Sequence, residues 1–221
     1  MNKIDYSQYV VVSDFDGTIS LQDSNEQLFK VLGNAENIRI EELYNKGRIG
    51  TREGFIRHFE TLKLEERTYN EFILENIKMD RSFRAFYNKV IGNGMSLIVV
   101  SGGFINGISI LLKKEGMKGI PVCANRLVIF NGRLKAEFAN ENYDCSSSFG
   151  ACGNCKLLYL KSIRENNKKI IFIGDGLTDR CAASEADIVF AKKSLAKYCE
   201  SKGIRYIKYD SFEDIINELF A

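Results

Sequence analysis

The run Tyr9–Ser13, reading YVVVS, is the strongest constraint on how this chain can fold. Three consecutive valines leave no polar face for solvent, so the run reads as a strand covered on both sides, as inner strands of parallel sheets are. It ends in two acids, Asp14 and Asp16, separated by Phe15. Side chains two apart on a strand point the same way, so the carboxylates repel unless a cation or a proton lies between them. Gly17 and Thr18 then turn the chain out, which leaves the acid pair at the carboxyl end of the strand. Open parallel sheets place their ligands there.

The pattern recurs along the chain. Apolar runs at 97–101, 170–173 and 188–190 read as further buried strands, with weaker ones near 121–124 and 205–208. Residues 104–114, 156–165, 178–186 and 211–220 have helical spacing of apolar positions, and Gly116 and Gly203 are helix stops. Strands alternating with helices predict an α/β fold with a mostly parallel sheet and right-handed connections. Two stretches depart from the alternation. From about 24 to 91 only helical spacing occurs, in NEQLFKVL, IRIEELY, EGFIRHFETL, YNEFILENI and FRAFYNKVI, which predicts an inserted group of helices. In RLVIFNGRLKAEF, Asn131-Gly132 between alternating segments predicts a β-hairpin. The expected division is a core of 1–22 and 88–221, carrying a small β-hairpin insert at about 125–140, with the helical insert at 23–87.

Composition excludes several classes. With 221 residues, 45% hydrophobic and 27% charged, the chain can bury a real core and is neither disordered nor fibrous. A net charge of +2 and the lack of a basic cluster with interleaved aromatics argue against a nucleic-acid partner. The opening MNKIDYSQYVVVSD has a short apolar run met at once by acids, so neither a signal peptide nor a membrane span is expected. A cytoplasmic setting follows, in which the six cysteines are expected to be reduced.

Three strand ends share one kind of punctuation. VVVSDFDGT supplies Asp14 and Asp16, LIVVSGGF supplies Ser101, Gly102 and Gly103, and IIFIGDGLTD supplies Asp175 and Asp179. In a parallel sheet these ends lie along one edge and converge on one pocket. Asp14, Asp16 and Asp175 offer hard oxygen ligands of the kind Mg²⁺ takes. Ser101 with the amides of Gly102 and Gly103 at a helix N-terminus suits an anion, to which Lys156 and the loop residue Thr18 would add contacts. An acidic metal site beside an anion site is what phosphate-ester chemistry needs. Asp14 is then the nucleophile, and Asp16 the acid to the leaving alcohol and afterwards the base to water. Taken singly, each element has a plainer reading: DFDGT as a polar turn, SGGF as a helix cap, Lys156 as a solvated lysine.

DFDGT, the strand ending in Ser101, Lys156 and GDGLTD occur in the order of the four motifs of the haloacid-dehalogenase-like phosphohydrolase superfamily, and the chain resembles that superfamily over nearly its whole length. The resemblance implies a Rossmann-like three-layer core, a helical cap made by the insert, and Mg²⁺ as cofactor. It assigns nucleophile, acid/base, phosphate-binding and metal roles to Asp14, Asp16, Ser101 with Lys156, and Asp175, with Asp179 supporting the metal site. It also implies that Asp16 offers the metal its backbone carbonyl. VSGGF and GDGLTD look like the phosphoserine-phosphatase branch. That branch usually has a glutamate nine positions after the nucleophile, where this chain has Asp23, and a cap arginine at a position that is Ile56 here, next to Arg57. DFDGTIS, REGFIRHF and FGACGNCK look instead like the methionine-salvage phosphatase acting on 2-hydroxy-3-keto-5-methylthiopentenyl-1-phosphate. Phosphocholine and phosphoethanolamine phosphatases are a third relative. A phosphotransferase using the same acids, or a regulatory binding protein on the fold, are the other classes.

Asp23 and Arg57 are thus candidates to touch the substrate, although Asp23 could simply cap a helix and Arg57 be solvated. His58, the one histidine, reads as a polar helix-face residue. Cys145, Cys152 and Cys155 have the spacing of half a zinc site without an evident fourth ligand, so thiols or a transient disulfide are expected instead. The partner expected is a small phosphorylated metabolite.

Overall fold

The computed structural model describes residues 6–142 and 150–220. Cys145 lies outside them. Seven strands form one sheet in the order β4-β3-β2-β1-β5-β6-β7. They are β1 (Tyr9–Ser13), β2 (Ser96–Phe104), β3 (Val122–Phe130), β4 (Arg133–Glu137), β5 (Lys169–Gly174), β6 (Ile188–Ala191) and β7 (Ile207–Lys208). All neighbours are parallel except β3 and β4. β1 is central: Val12 is aligned with Ile98 on β2 and with Phe172 on β5. The unbroken valine run therefore has cover on both faces. Val11 packs among α5 (Phe83–Gly92), α6 (Ile105–Lys114) and α10 (Phe212–Leu219). Val10 and Val12 pack among α7 (Lys156–Arg164), α8 (Arg180–Glu185) and α9 (Lys193–Lys202). Alternation along one strand thus separates two hydrophobic layers, and the architecture has three.

Between β1 and β2 the chain forms α1 (Ser24–Leu32), α2 (Ala35–Asn45), α3 (Thr51–Thr61) and α4 (Glu66–Asn76). Their apolar faces meet the core at an aromatic cluster. Phe55 and Phe59 of α3 lie edge-on to Phe104 at the end of β2, with centroids 5.0 and 5.2 Å apart. The neck of the insert is closed by an antiparallel bridge between Ser20 and Met79. Its far side is fastened twice more. The Leu64 amide donates to the Gly132 carbonyl at the hairpin turn (2.9 Å), and the Arg52 amide to Ala151 (3.2 Å). Gly50 and Gly150 pass so closely there that a Cβ on Gly150 would lie 2.8 Å from the Cα of Gly50.

Three features bear on the expectations. The expected hairpin is present as β3 and β4: β3 continues from its pairing with β2 straight into the arm that pairs with β4, so the hairpin forms the edge of the main sheet. Its turn has φ of 49° at Asn131 and 72° at Gly132, the left-handed pair that an Asn-Gly type I′ turn requires. The helix α5 spans the expected boundary at 87/88, and its Phe83 and Phe86 are buried against Phe212 of α10. Finally, Ser101, Gly102 and Gly103 lie within the irregular end of β2, and α6 starts only at Ile105.

Candidate active site

The carboxyl ends of β1, β2 and β5 meet under the inserted helices at a cavity of about 580 Å³. Asp14, Asp16, Ser101, Gly102, Gly103 and Asp175 line it together with Asp23. Residues up to about 160 positions apart converge as the strand-end argument requires.

The two acids of the first loop have different partners. Asp14 is buried, and the donors to it, the Phe15 amide (2.7 Å) and Lys156 Nζ (2.7 Å), both use Oδ1. Burial first, then the charge of Asp179, pushes its carboxyl well above the usual carboxylate range, against the pull of Lys156. Asp16 accepts from the Ser24 amide at Oδ1 (2.9 Å), while its buried Oδ2 has no hydrogen-bond partner among the described residues. Burial raises this carboxyl too, against the Ser24 hydrogen bond. Gly103 makes room for it, since a Cβ there would sit 2.3 Å from Asp16 Oδ2. The Ser101 hydroxyl is fully buried and accepts from the Gly103 amide (2.9 Å).

Asp175 receives Thr18 Oγ1 at 3.1 Å and Lys193 Nζ at 2.9 Å. Gly17, at φ 73°, lets the loop lie against this carboxylate, because a Cβ there would be 2.3 Å from Asp175 Oδ2. Asp179 is saturated: its Oδ2 accepts from the amides of Asp175 (3.1 Å) and Gly176 (3.0 Å), and its Oδ1 from Lys156. Burial disfavours the Lys156 ammonium, yet Asp14 and Asp179 outweigh it and hold its pKa above the ordinary lysine value. Lys156 stands beneath the cavity as a buried strut between two acids.

Asp14, Asp175 and Asp179 have carboxylate oxygens within 4.8 Å of one another, the one such group of three possible metal ligands among the described residues. Four carboxylates, with Asp16, face two ammonium groups, Lys156 and Lys193. The acids outnumber the cations and the donors are all oxygen, so the residues fit Mg²⁺.

The other sequence candidates differ in where they lie. Thr18 is fully buried and bonded to Asp175, not to the cavity. Asp23 lines the cavity and caps α1, accepting from the amides of Asn25 and Glu26 (both 2.9 Å). Solvent reaches it from the cavity, while the crowded walls first, and the Asp16 charge second, raise its pKa. Arg57 is not brought to the site: it is exposed on the outer face of α3, paired with Glu53. Its neighbour His58, on the face shared with Phe55 and Phe59, is buried in the cavity wall.

Sequence reasoning missed Lys193 and Asn154. Lys193 follows β6, so the strand-end rule applied to that strand would have found it. Buried Asn154 donates to the carbonyls of Ser101 (2.9 Å) and Cys123 (3.1 Å), which ties the segment before Lys156 to the ends of β2 and β3. Cys123, Cys155 and Cys199 are thiols. Among the described residues no helix is long and apolar enough to cross a membrane.

Fold and site together define a phosphatase-like α/β protein whose fold is that of solved phosphoserine phosphatases. A solved structure titled "Phospho-Aspartyl Intermediate Analogue of Phosphoserine phosphatase" shares the fold at TM-score 0.70 and 19% identity, covering 95% of this chain and 97% of that one. The chain belongs to the family described as Putative Phosphatase, whose model matches residues 9–201. It is 31% identical over 222 residues to Pdp3-interacting factor 1 of Schizosaccharomyces pombe, covering 96% of this chain and 95% of that protein. It is 27% identical to polyol phosphate phosphatase PYP1 of Saccharomyces cerevisiae (94% and 90% covered). Identity is 28% to the 2-hydroxy-3-keto-5-methylthiopentenyl-1-phosphate phosphatase of Bacillus velezensis (93% and 87% covered).

Proposed function

We propose that the chain is a Mg²⁺-dependent phosphomonoesterase that hydrolyses a small phosphorylated metabolite through an aspartyl phosphate on Asp14. The observation that carries the reading is the unequal pair on one loop: Asp14 is held at Oδ1 by a buried ammonium, and Asp16 has a buried oxygen with no partner. Asp14 Oδ2 attacks phosphorus and the bond to the leaving alcohol oxygen breaks, while Asp16, whose protonated form burial favours, gives that oxygen its proton. Asp16 then takes a proton from water, whose oxygen attacks phosphorus and frees phosphate and Asp14. Ser101 and the Gly102–Gly103 backbone meet the equatorial oxygens. Lys156 fixes the attacking carboxylate and offsets charge beneath it. Asp14 and Asp175 would hold Mg²⁺, with Asp179 bracing the loop, and the bound ion would supply the positive charge that lets a phosphate approach four acids.

The helical insert acts as a cap that screens the transfer from water and selects the alcohol. The methionine-salvage phosphate ester is the first substrate to try, on the strength of the FGACGNCK approach to Lys156 and the Bacillus velezensis relative. Polyol phosphates follow from the yeast relative. Phosphoserine is disfavoured, because the one cation among the described cavity-lining residues is Lys193, already bonded to Asp175, which leaves no second cation among them to pair with a substrate carboxylate.

The test is phosphate release from a panel of these esters with Mg²⁺. Asp14→Asn should lower turnover on the order of 10³-fold or more, as loss of a covalent nucleophile does. Full activity in that variant would remove Asp14 as nucleophile.

A further inference from the structure

His58 is 3% exposed and plays no part in the transfer just described. Its surroundings fix how it faces the cavity. The Asn37 side-chain oxygen accepts from the Asn34 amide (2.9 Å), which sets the orientation of the Asn37 amide group. The Asn37 nitrogen therefore donates to His58 Nδ1 (3.0 Å), so Nδ1 is the acceptor and Nε2 carries the ring proton. Phe29, itself in the cavity wall, stacks on the imidazole at 3.8 Å and 5°. A histidine that only filled the insert would need the Asn37 bond and the stack. It would not need Nε2 turned to the cavity-lining Glu41, at 3.5 Å, longer than a good N–H···O bond.

A hydroxyl group at this wall can accept from Nε2–H and donate to Glu41, so it can use both. A carboxylate would be repelled by Glu41, an ammonium would gain nothing from Nε2–H, and a bare alkyl chain would cover the Nε2–H without offering it an acceptor, whereas Glu41 already accepts from Asn45. We infer that His58 and Glu41 form the specificity contact of this site, recognising a hydroxyl on the alcohol part of the phosphate ester. The inference rests on the phosphatase reading and adds what the cap selects for.

The experiment compares kcat/KM for phosphate release on matched pairs: polyol monophosphates of three, four and six carbons against alkyl phosphates of equal length. The wild type should prefer at least one polyol ester over its alkyl partner on the order of tenfold or more, since the unmatched partner leaves the buried Nε2–H of His58 without an acceptor from the substrate. Glu41→Leu and His58→Phe should bring that ratio to within about threefold of unity. Glu41 is partly exposed, so its variant keeps the test valid should His58→Phe fail to fold. A wild type that releases phosphate without preferring any polyol ester overturns the hydroxyl contact alone. Variants that lose both members of a pair equally, or keep the ratio, overturn it too. No release from any ester by the wild type overturns the phosphatase reading and this inference together.

Discussion

Asp14 and Asp16 sit two residues apart, yet one is tied to an ammonium and the other to Ser24, with its second oxygen unpartnered among the described residues. Asp16 is thus a carboxyl whose charge the fold opposes. Its pKa is raised in the folded state, so the native protein holds the proton where the unfolded chain has lost it. The stability this contributes is full below the unfolded value, near pH 4, and is lost as pH rises through the folded one. In metal-free protein, Asp16→Asn should match the wild type near pH 4 and gain on it as pH rises. Each kcal/mol gained would raise the midpoint by roughly 2–4 °C in a chain of this size. Melting curves across pH check this; an equal shift at every pH would refute the assignment. Gly103→Ala should cut activity on the order of tenfold or more, because a methyl 2.3 Å from Asp16 Oδ2 must displace the acid. Steady-state kinetics with a circular dichroism check for folding measures it.

Element geometry decides what could be read in advance. Asp14, Asp16, Asp175 and Ser101 were legible because a strand fixes its side chains with period two and a parallel sheet fixes which ends meet. Arg57 was not, because neighbouring helix positions differ by about 100° and the phase is set by packing. The apolar stripe Phe55, Phe59 and Leu62 carried that phase and would have placed His58 inward and Arg57 outward. The hairpin turn was legible from Asn131-Gly132, but its merger with the main sheet depends on β3 running unbroken through Ala124 to Arg126, where the apolar pattern is weak. The seam between α3 and β2 is aromatic, and Phe104→Ala should cost about 3–5 kcal/mol, as large aromatic deletions from a core do. Urea denaturation reads the loss. Turnover should fall as well, because α3 also carries the cavity wall.

For the whole molecule, the surplus of carboxylates at the sheet edge makes cation binding a stabilising event. Adding Mg²⁺ to chelator-treated protein should raise the melting midpoint in a concentration-dependent way, and Asp175→Asn should abolish most of that rise. Differential scanning fluorimetry with Ca²⁺ and Na⁺ as comparisons measures it. The three fastenings of the insert, at Ser20 and Met79, at Leu64 and Gly132, and at Gly50 beside Gly150, bear on a different question. Substrate ranges in such scaffolds invite exchange of the inserted module between proteins. Here a transplant cut only at the two crossing points of the neck would arrive without the hairpin turn and without the glycine that lets residue 50 pass. A graft that carries the hairpin and the 150–151 segment along with the helices moves the complete unit.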